Sequence, residues 1–213
     1  DANGNFIIPT QFGATGKLMA FGGTDLLTGQ PFSGVMTAPA GSAVVSPLTS
    51  LVESLVSSGK IGNPVVANAA VVAALNLPAV NLATYDPMAV LANPASSAAD
   101  KSVALAVQSA ALQVANVVTQ TSSAIKASQP SASLTATGDQ VIDAIAAQLL
   151  APTSGGAATP SLSNATLVAT VISAVNTGAA PPLGGVAVEQ IAQIVAATNA
   201  AAADALREPT AAG

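Results

Sequence analysis

The first residues with chemistry to offer are Asp1-Ala2-Asn3-Gly4-Asn5, whose D-x-N-x-N alternation puts oxygen donors at the spacing of a calcium loop. A complete EF-hand loop would continue with Gly at its sixth position and a bidentate Glu at its twelfth. Phe6 and Phe12 stand there instead. The residues favour a β-turn without metal, because Asn and Gly tolerate positive φ. A partial calcium site through Asp1, Asn3 and Asn5, completed by residues upstream, is the alternative. Thr49, Ser50, Glu53 and Ser54 gather hydroxyls and one carboxylate on one side of a predicted helix. No Lys or His stands near them in sequence to act as a base, so they read as a solvated face rather than a nucleophilic site.

Asp139 and Asp143 are four residues apart and could pair as carboxylates for acid/base work. A simpler reading makes Asp139 a first-turn acid that complements the helix dipole, with Asp143 at the surface. Asn164-Ala165-Thr166 fits a glycosylation acceptor, but it falls inside a predicted helix. No catalytic residue emerges from these groups, and the expectation is a protein that is not an enzyme.

Composition sharpens that expectation. The 213 residues are 51% hydrophobic but only 2% aromatic and 7% charged, with mean hydropathy +0.59. Alanine carries much of the apolar count, and its methyl buries little area, so a core must come from close helix approach. With no Cys there are no disulfides or thiolates, and with no His the usual general base and metal ligand are missing. The five bases, Lys17, Lys60, Lys101, Lys126 and Arg207, are scattered, which argues against nucleic acid as a partner. The longest apolar stretches, 65–80 and 103–118, are broken by Asn, Gln or Pro and predict buried helices rather than membrane spans. No signal peptide is visible, and the abrupt opening at Asp1 suggests a segment upstream.

These residues must be positioned by two kinds of structure. Residues 1–37 hold all four Phe between Gly-rich turns and predict short strands at 6–8, 17–21 and 32–37, the tail of a small β unit with an edge open to a partner. Residues 38–208 predict an Ala-rich helical bundle, with 209–213 as a tail. The fold class expected is therefore mainly α, a multi-helix bundle with a short N-terminal β segment.

Ser46-Pro47, Asn63-Pro64, Asp86-Pro87 and Asn93-Pro94 each join a capping side chain to a proline suited to the first turn. They predict helices over 47–58, 64–75, 87–92 and 95–127. Leu48, Leu51, Val52, Leu55 and Val56 form one apolar stripe that ends at Gly59. Val103, Val107, Ala110, Val114 and Val117 form a seam on the long helix, with Leu105 and Leu112 on another side, which places it at the centre. Thr137 and Gln140 have capping-box spacing ahead of Val141, Ile142, Ile145, Leu149 and Leu150. Ser161 or Ser163 is expected to cap a helix buried through Leu167, Val168, Val171, Ile172 and Val175. Residues 178–185 break it, and Val188, Ile191, Ile194, Val195 and Leu206 mark the last helix.

The run Gly22-Gly23-Thr24-Asp25, Thr28-Gly29-Gln30-Pro31-Phe32-Ser33-Gly34, Thr37-Ala38-Pro39-Ala40-Gly41-Ser42 and Val45-Ser46-Pro47-Leu48-Thr49-Ser50-Leu51-Val52 resembles a module of very large secreted or surface-attached bacterial proteins. These are the adhesin-like, haemolysin-type calcium-repeat proteins, in which a "DANGNF"-like turn often precedes the module. Asp1-Ala2-Asn3-Gly4-Asn5-Phe6 matches that turn, so the resemblance covers residues 1–56, and the remainder by composition alone. It implies extracellular or cell-surface display and a structural or adhesive role, with other copies of the chain or other surface proteins as partners. The alternative expectation is a binding module that carries calcium or an apolar ligand such as a lipid or pigment. No further cofactor is expected.

Overall fold

The computed structural model of the chain describes residues 6–7, 16–22, 34–151, 161–177 and 181–206. Among them run two strands, β1 (Leu18–Phe21) and β2 (Val35–Ala38), and then seven helices. These are α1 (Pro47–Ser57), α2 (Pro64–Ala74), α3 (Pro87–Ala92), α4 (Ala98–Ser128), α5 (Leu134–Leu149), α6 (Ala165–Asn176) and α7 (Gly185–Ala205). The fold is mainly α, with 64% of the described residues helical and one short antiparallel ribbon near the N-terminus.

In that ribbon Leu18 faces Ala38, Met19 faces Thr37, Ala20 faces Met36 and Phe21 faces Val35. Period-two alternation turns Leu18 and Ala20 inward and leaves Met19 and Phe21 exposed. The third predicted strand is thus shifted along the chain, to Val35–Ala38. Phe6 and Ile7 are exposed and lie outside any strand, and Ile8 falls outside the described residues.

The proline-linked starts of α1, α2 and α3 form as the sequence predicts. Ser46 Oγ accepts from the Thr49 amide, and the Asn63 and Asp86 carboxamide and carboxylate oxygens each accept from two first-turn amides. Asn93-Pro94 behaves differently. Asn93 makes a turn by accepting from the Ala95 amide, and α4 begins only after Ser97. There Ser97 and Asp100 cap each other's amides, which satisfies more orphan donors than Asn93 alone.

α5 also starts elsewhere than expected. Ser133 caps it, and Thr137 and Gly138 are buried inside the helix instead of opening it. Lys126 donates to the carbonyls of Pro130 and Ala132, closing the α4–α5 corner so that Ser133 is in place to cap. Asn164, rather than Ser161 or Ser163, caps α6, because its side-chain oxygen accepts from both Thr166 and Leu167. Ser161 serves the preceding turn by accepting from the Ser163 amide.

α4 is the centre, packed against α1, α3, α5, α6 and α7. Val107, Ala110, Val114 and Val117 of the predicted seam are buried, while Val103 is half-buried and Ala104 takes the inner place. A straight helix drifts from a strict 3.5-residue repeat, so the seam slips by one residue at its end. At 31 residues α4 is long and apolar enough to cross a membrane, more than the interrupted stretch 103–118 suggested. Leu51, Val71, Val141, Ile145, Val171, Ile172 and Val195 complete one continuous core around it. Ile194, expected in that stripe, is exposed.

Candidate functional site

The residues of α1 predicted to face solvent are the ones that hold the ribbon. Thr49, Ser50, Glu53 and Ser54 are all buried, so the solvated-face expectation is wrong. Thr37 of β2 lies against this side of α1. Its amide donates to Ser50 Oγ at 2.8 Å, and its carbonyl accepts from Thr49 Oγ1 at 2.9 Å and Ser50 Oγ at 3.2 Å. Hydroxyls are what a helix needs to offer a strand edge, since they can both donate and accept. One turn further on, Ser54 Oγ donates to Asp143 Oδ1 at 2.6 Å and ties α1 to α5.

Glu53 is 8% exposed and has no hydrogen-bond partner among the described residues. Burial pushes its carboxyl above the usual range, and the Lys17 ammonium at the start of the ribbon partly opposes that. Asp139 also titrates above the usual range. The partial burial of its carboxyl comes first and the neighbouring Asp143 charge second, against the pull of Lys17, although the residue as a whole is exposed. Asp139 lies beyond the first turn of α5, so it does not complement the dipole as expected. Asp143 is exposed, as the sequence suggests, yet it has a buried partner in Ser54.

This junction brings together Lys17, Glu53, Ser54, Asp139 and Asp143 from three segments. Each hydroxyl proton is committed: Thr49 and Ser50 give theirs to backbone carbonyls, and Ser54 gives its own to a carboxylate. The two cavities described next are lined by other residues than these carboxylates. What this arrangement does is fasten.

Two cavities lie elsewhere. The larger, about 750 Å³, is an open cleft between α4, α7 and the α2–α3 connection, with Asn76, Ser102, Ser109, Gln113, Ser161 and Asp204 in its wall. The smaller, about 190 Å³, is apolar and sits between Met36, Leu48, Leu82, Tyr85, Val107 and Leu112. Pockets for drug-sized ligands run from roughly 300 to 1,000 Å³, so a lipid or pigment exceeds the apolar one.

Among the described residues no group of carboxylates is arranged to hold a metal. Asp1, Asn3 and Asn5, expected as a metal-free turn with a partial calcium site as the alternative, lie outside the described residues. Asn164 and Thr166 are exposed, with the Asn164 side-chain oxygen occupied in capping α6.

Sequence reasoning missed a second set of polar contacts, in which an asparagine on a helix clips a loop. Asn68 on α2 donates to the Val80 carbonyl and accepts from the Leu82 amide. Asn176 on α6 does the same for both backbone groups of Leu183. Asn199 on α7 is 0% exposed, donates to the carbonyls of Leu162 and Gln113, and accepts from Asn116 Nδ2. The available signal was an isolated Asn on an otherwise Ala- and Val-rich face. No family model matches the chain, and neither the known proteins nor the solved structures compared with it give a match.

Proposed function

We propose that the protein is a non-enzymatic structural or adhesive component of a cell surface or extracellular assembly, packing with other copies of itself or with other surface proteins. The observation that carries this reading is the β1–β2 ribbon. Its outward face exposes Met19 and Phe21, the latter 76% exposed, and no strand among the described residues pairs with the other edge of β1. Unpaired edges with apolar side chains are seats for further protein. The sparse charge of the chain supports the reading, since so little ionic coat does little to keep copies apart. So does the resemblance of residues 1–56 to the adhesin-like module. The committed hydroxyls give no support to a catalytic role.

Size-exclusion chromatography with light scattering tests the proposal. The expected result is a concentration-dependent mass well above the 20.4 kDa of one chain. A soluble monomer that persists at high concentration would overturn it.

A further inference from the structure

Only one asparagine in the chain, Asn164, is followed by a residue other than proline and then by Thr or Ser, the pattern of an N-glycosylation acceptor. The sequence alone places this triplet inside a helix, where the backbone is tied up in helical bonds. The structure moves it to the edge. Asn164 is the N-cap of α6, with φ −96° and ψ 115°, so its own backbone is extended and the helix begins after it. Asn164 and Thr166 are both exposed, and Ser161–Ser163 before them form a turn.

The carboxamide of Asn164 is only half committed. Its Oδ1 accepts from the Thr166 amide at 2.8 Å and from the Leu167 amide at 3.4 Å. Those bonds hold one branch of the planar group against the helix and leave Nδ2, on the other branch, without a partner among the described residues. The buried clips differ in this respect, since Asn68, Asn176 and Asn199 use both branches. The Thr166 hydroxyl has no partner among the described residues either, whereas Thr170 and Thr177 give theirs to carbonyls about one turn back. The acceptor nitrogen and the hydroxyl that completes the motif are the two groups left unengaged.

We propose that Asn164 is a glycan attachment site, whose Nδ2 accepts one sugar chain from a pyrophosphate-activated donor. Nδ2 attacks the anomeric carbon, and the bond from that carbon to the donor's phosphate oxygen breaks as the C–N bond forms. The diphosphate leaves with the bonding pair, and the amide gives up one proton to a base of the transferase. Oδ1 forms no new bond, so it still caps α6 after transfer. The transferase needs the first turn of α6 to open, and terminal turns open at low cost. The proposal rests on the extracellular or cell-surface part of the reading above and adds to it. A bulky, hydrated sugar at the start of α6 keeps the exposed row Thr166, Thr170 and Ser173 in water, so copies pack through other faces.

Mass spectrometry of the whole chain, purified from the cells that make it, reads the result. The expected species is heavier than its polypeptide by one sugar chain, and a peptide N-glycosidase removes the excess while converting Asn164 to its acid. Thr166→Ala removes the hydroxyl but keeps the backbone amide that the cap uses, and Asn164→Asp removes the acceptor nitrogen but keeps a capping oxygen. Each should abolish the excess mass, and Thr166→Ser should retain it. A native chain with no excess mass overturns the proposal, as does an excess that survives Thr166→Ala or maps to another residue. Light scattering judges the assembly reading separately. A sugar-bearing monomer removes assembly and leaves this site standing, and an assembled chain without sugar does the reverse.

Discussion

α1 is buried on two sides that are held by opposite means. Towards α2, α4 and α5 it presents Leu48, Leu51, Val52 and Leu55, which interlock with the core without any directional bond. Towards the ribbon and the edge of α5 it presents Thr49, Ser50 and Ser54, which hold Thr37 and Asp143 through hydrogen bonds, with Glu53 buried among them. The apolar side supplies most of the free energy, roughly 25 cal/mol for each Å² removed from water. The polar side supplies little net energy, because water satisfies the same groups when the contact opens. It fixes register instead, and it can be unmade at modest cost. The bundle is therefore the permanent part of the molecule and the ribbon the negotiable one.

The contrast is sharpest in its largest expected effect. Leu51→Ala should cost about 3 kcal/mol in denaturant unfolding, within the usual span for a fully buried leucine. A loss smaller than that caused by Ser50→Ala would break the comparison. Asn199→Ala leaves the buried Leu162 carbonyl and the Asn116 amide without their partner and should cost about 2 kcal/mol in the same assay.

Ser50→Ala removes both bonds to Thr37 and should cost about 1 kcal/mol of global stability. Its more telling readout is local: hydrogen exchange at the Thr37 amide should accelerate while core amides of α4 keep their protection. Thr121→Val deletes a fully buried hydroxyl that has no partner among the described residues. It should leave stability unchanged or raise it by up to about 1 kcal/mol, measured as a higher melting temperature.

The smallest effect depends on pH. Glu53 titrates higher in the folded chain than in the unfolded one because burial disfavours its charge. Its contribution is therefore intact below the ordinary carboxylate value of 4.5 and is lost as pH rises through the elevated one. Glu53→Gln should raise the melting temperature near neutral pH and leave it unchanged in acid, below that ordinary value. An equal shift at both pH values would show that the charge is not what burial penalises.

The bundle was legible because its signals are local. Capping residues next to prolines and apolar stripes at helical spacing located α1, α2 and α3 to within a residue at each end. They misplaced the starts of α4, α5 and α6 where two caps stood within a few residues of each other. There the choice depends on how many amides each cap satisfies in the folded chain, as Ser97 with Asp100 shows against Asn93. The junction was not legible at all. Hydroxyls on one side of a helix look solvated unless one knows that a strand edge lies there, and Thr37 is separated from Ser50 by a turn-rich stretch with no helical periodicity. Lys17, Glu53 and Asp139 come together only through tertiary packing, across distances in sequence that no spacing rule bridges.

The asparagine clips carry one more consequence. Asn68, Asn176 and Asn199 fasten three separate loops with neutral amides, where ion pairs are the more familiar device. Dissolved salt shields charges but leaves amide contacts almost untouched. These three loop connections should therefore hold with little change as ionic strength rises.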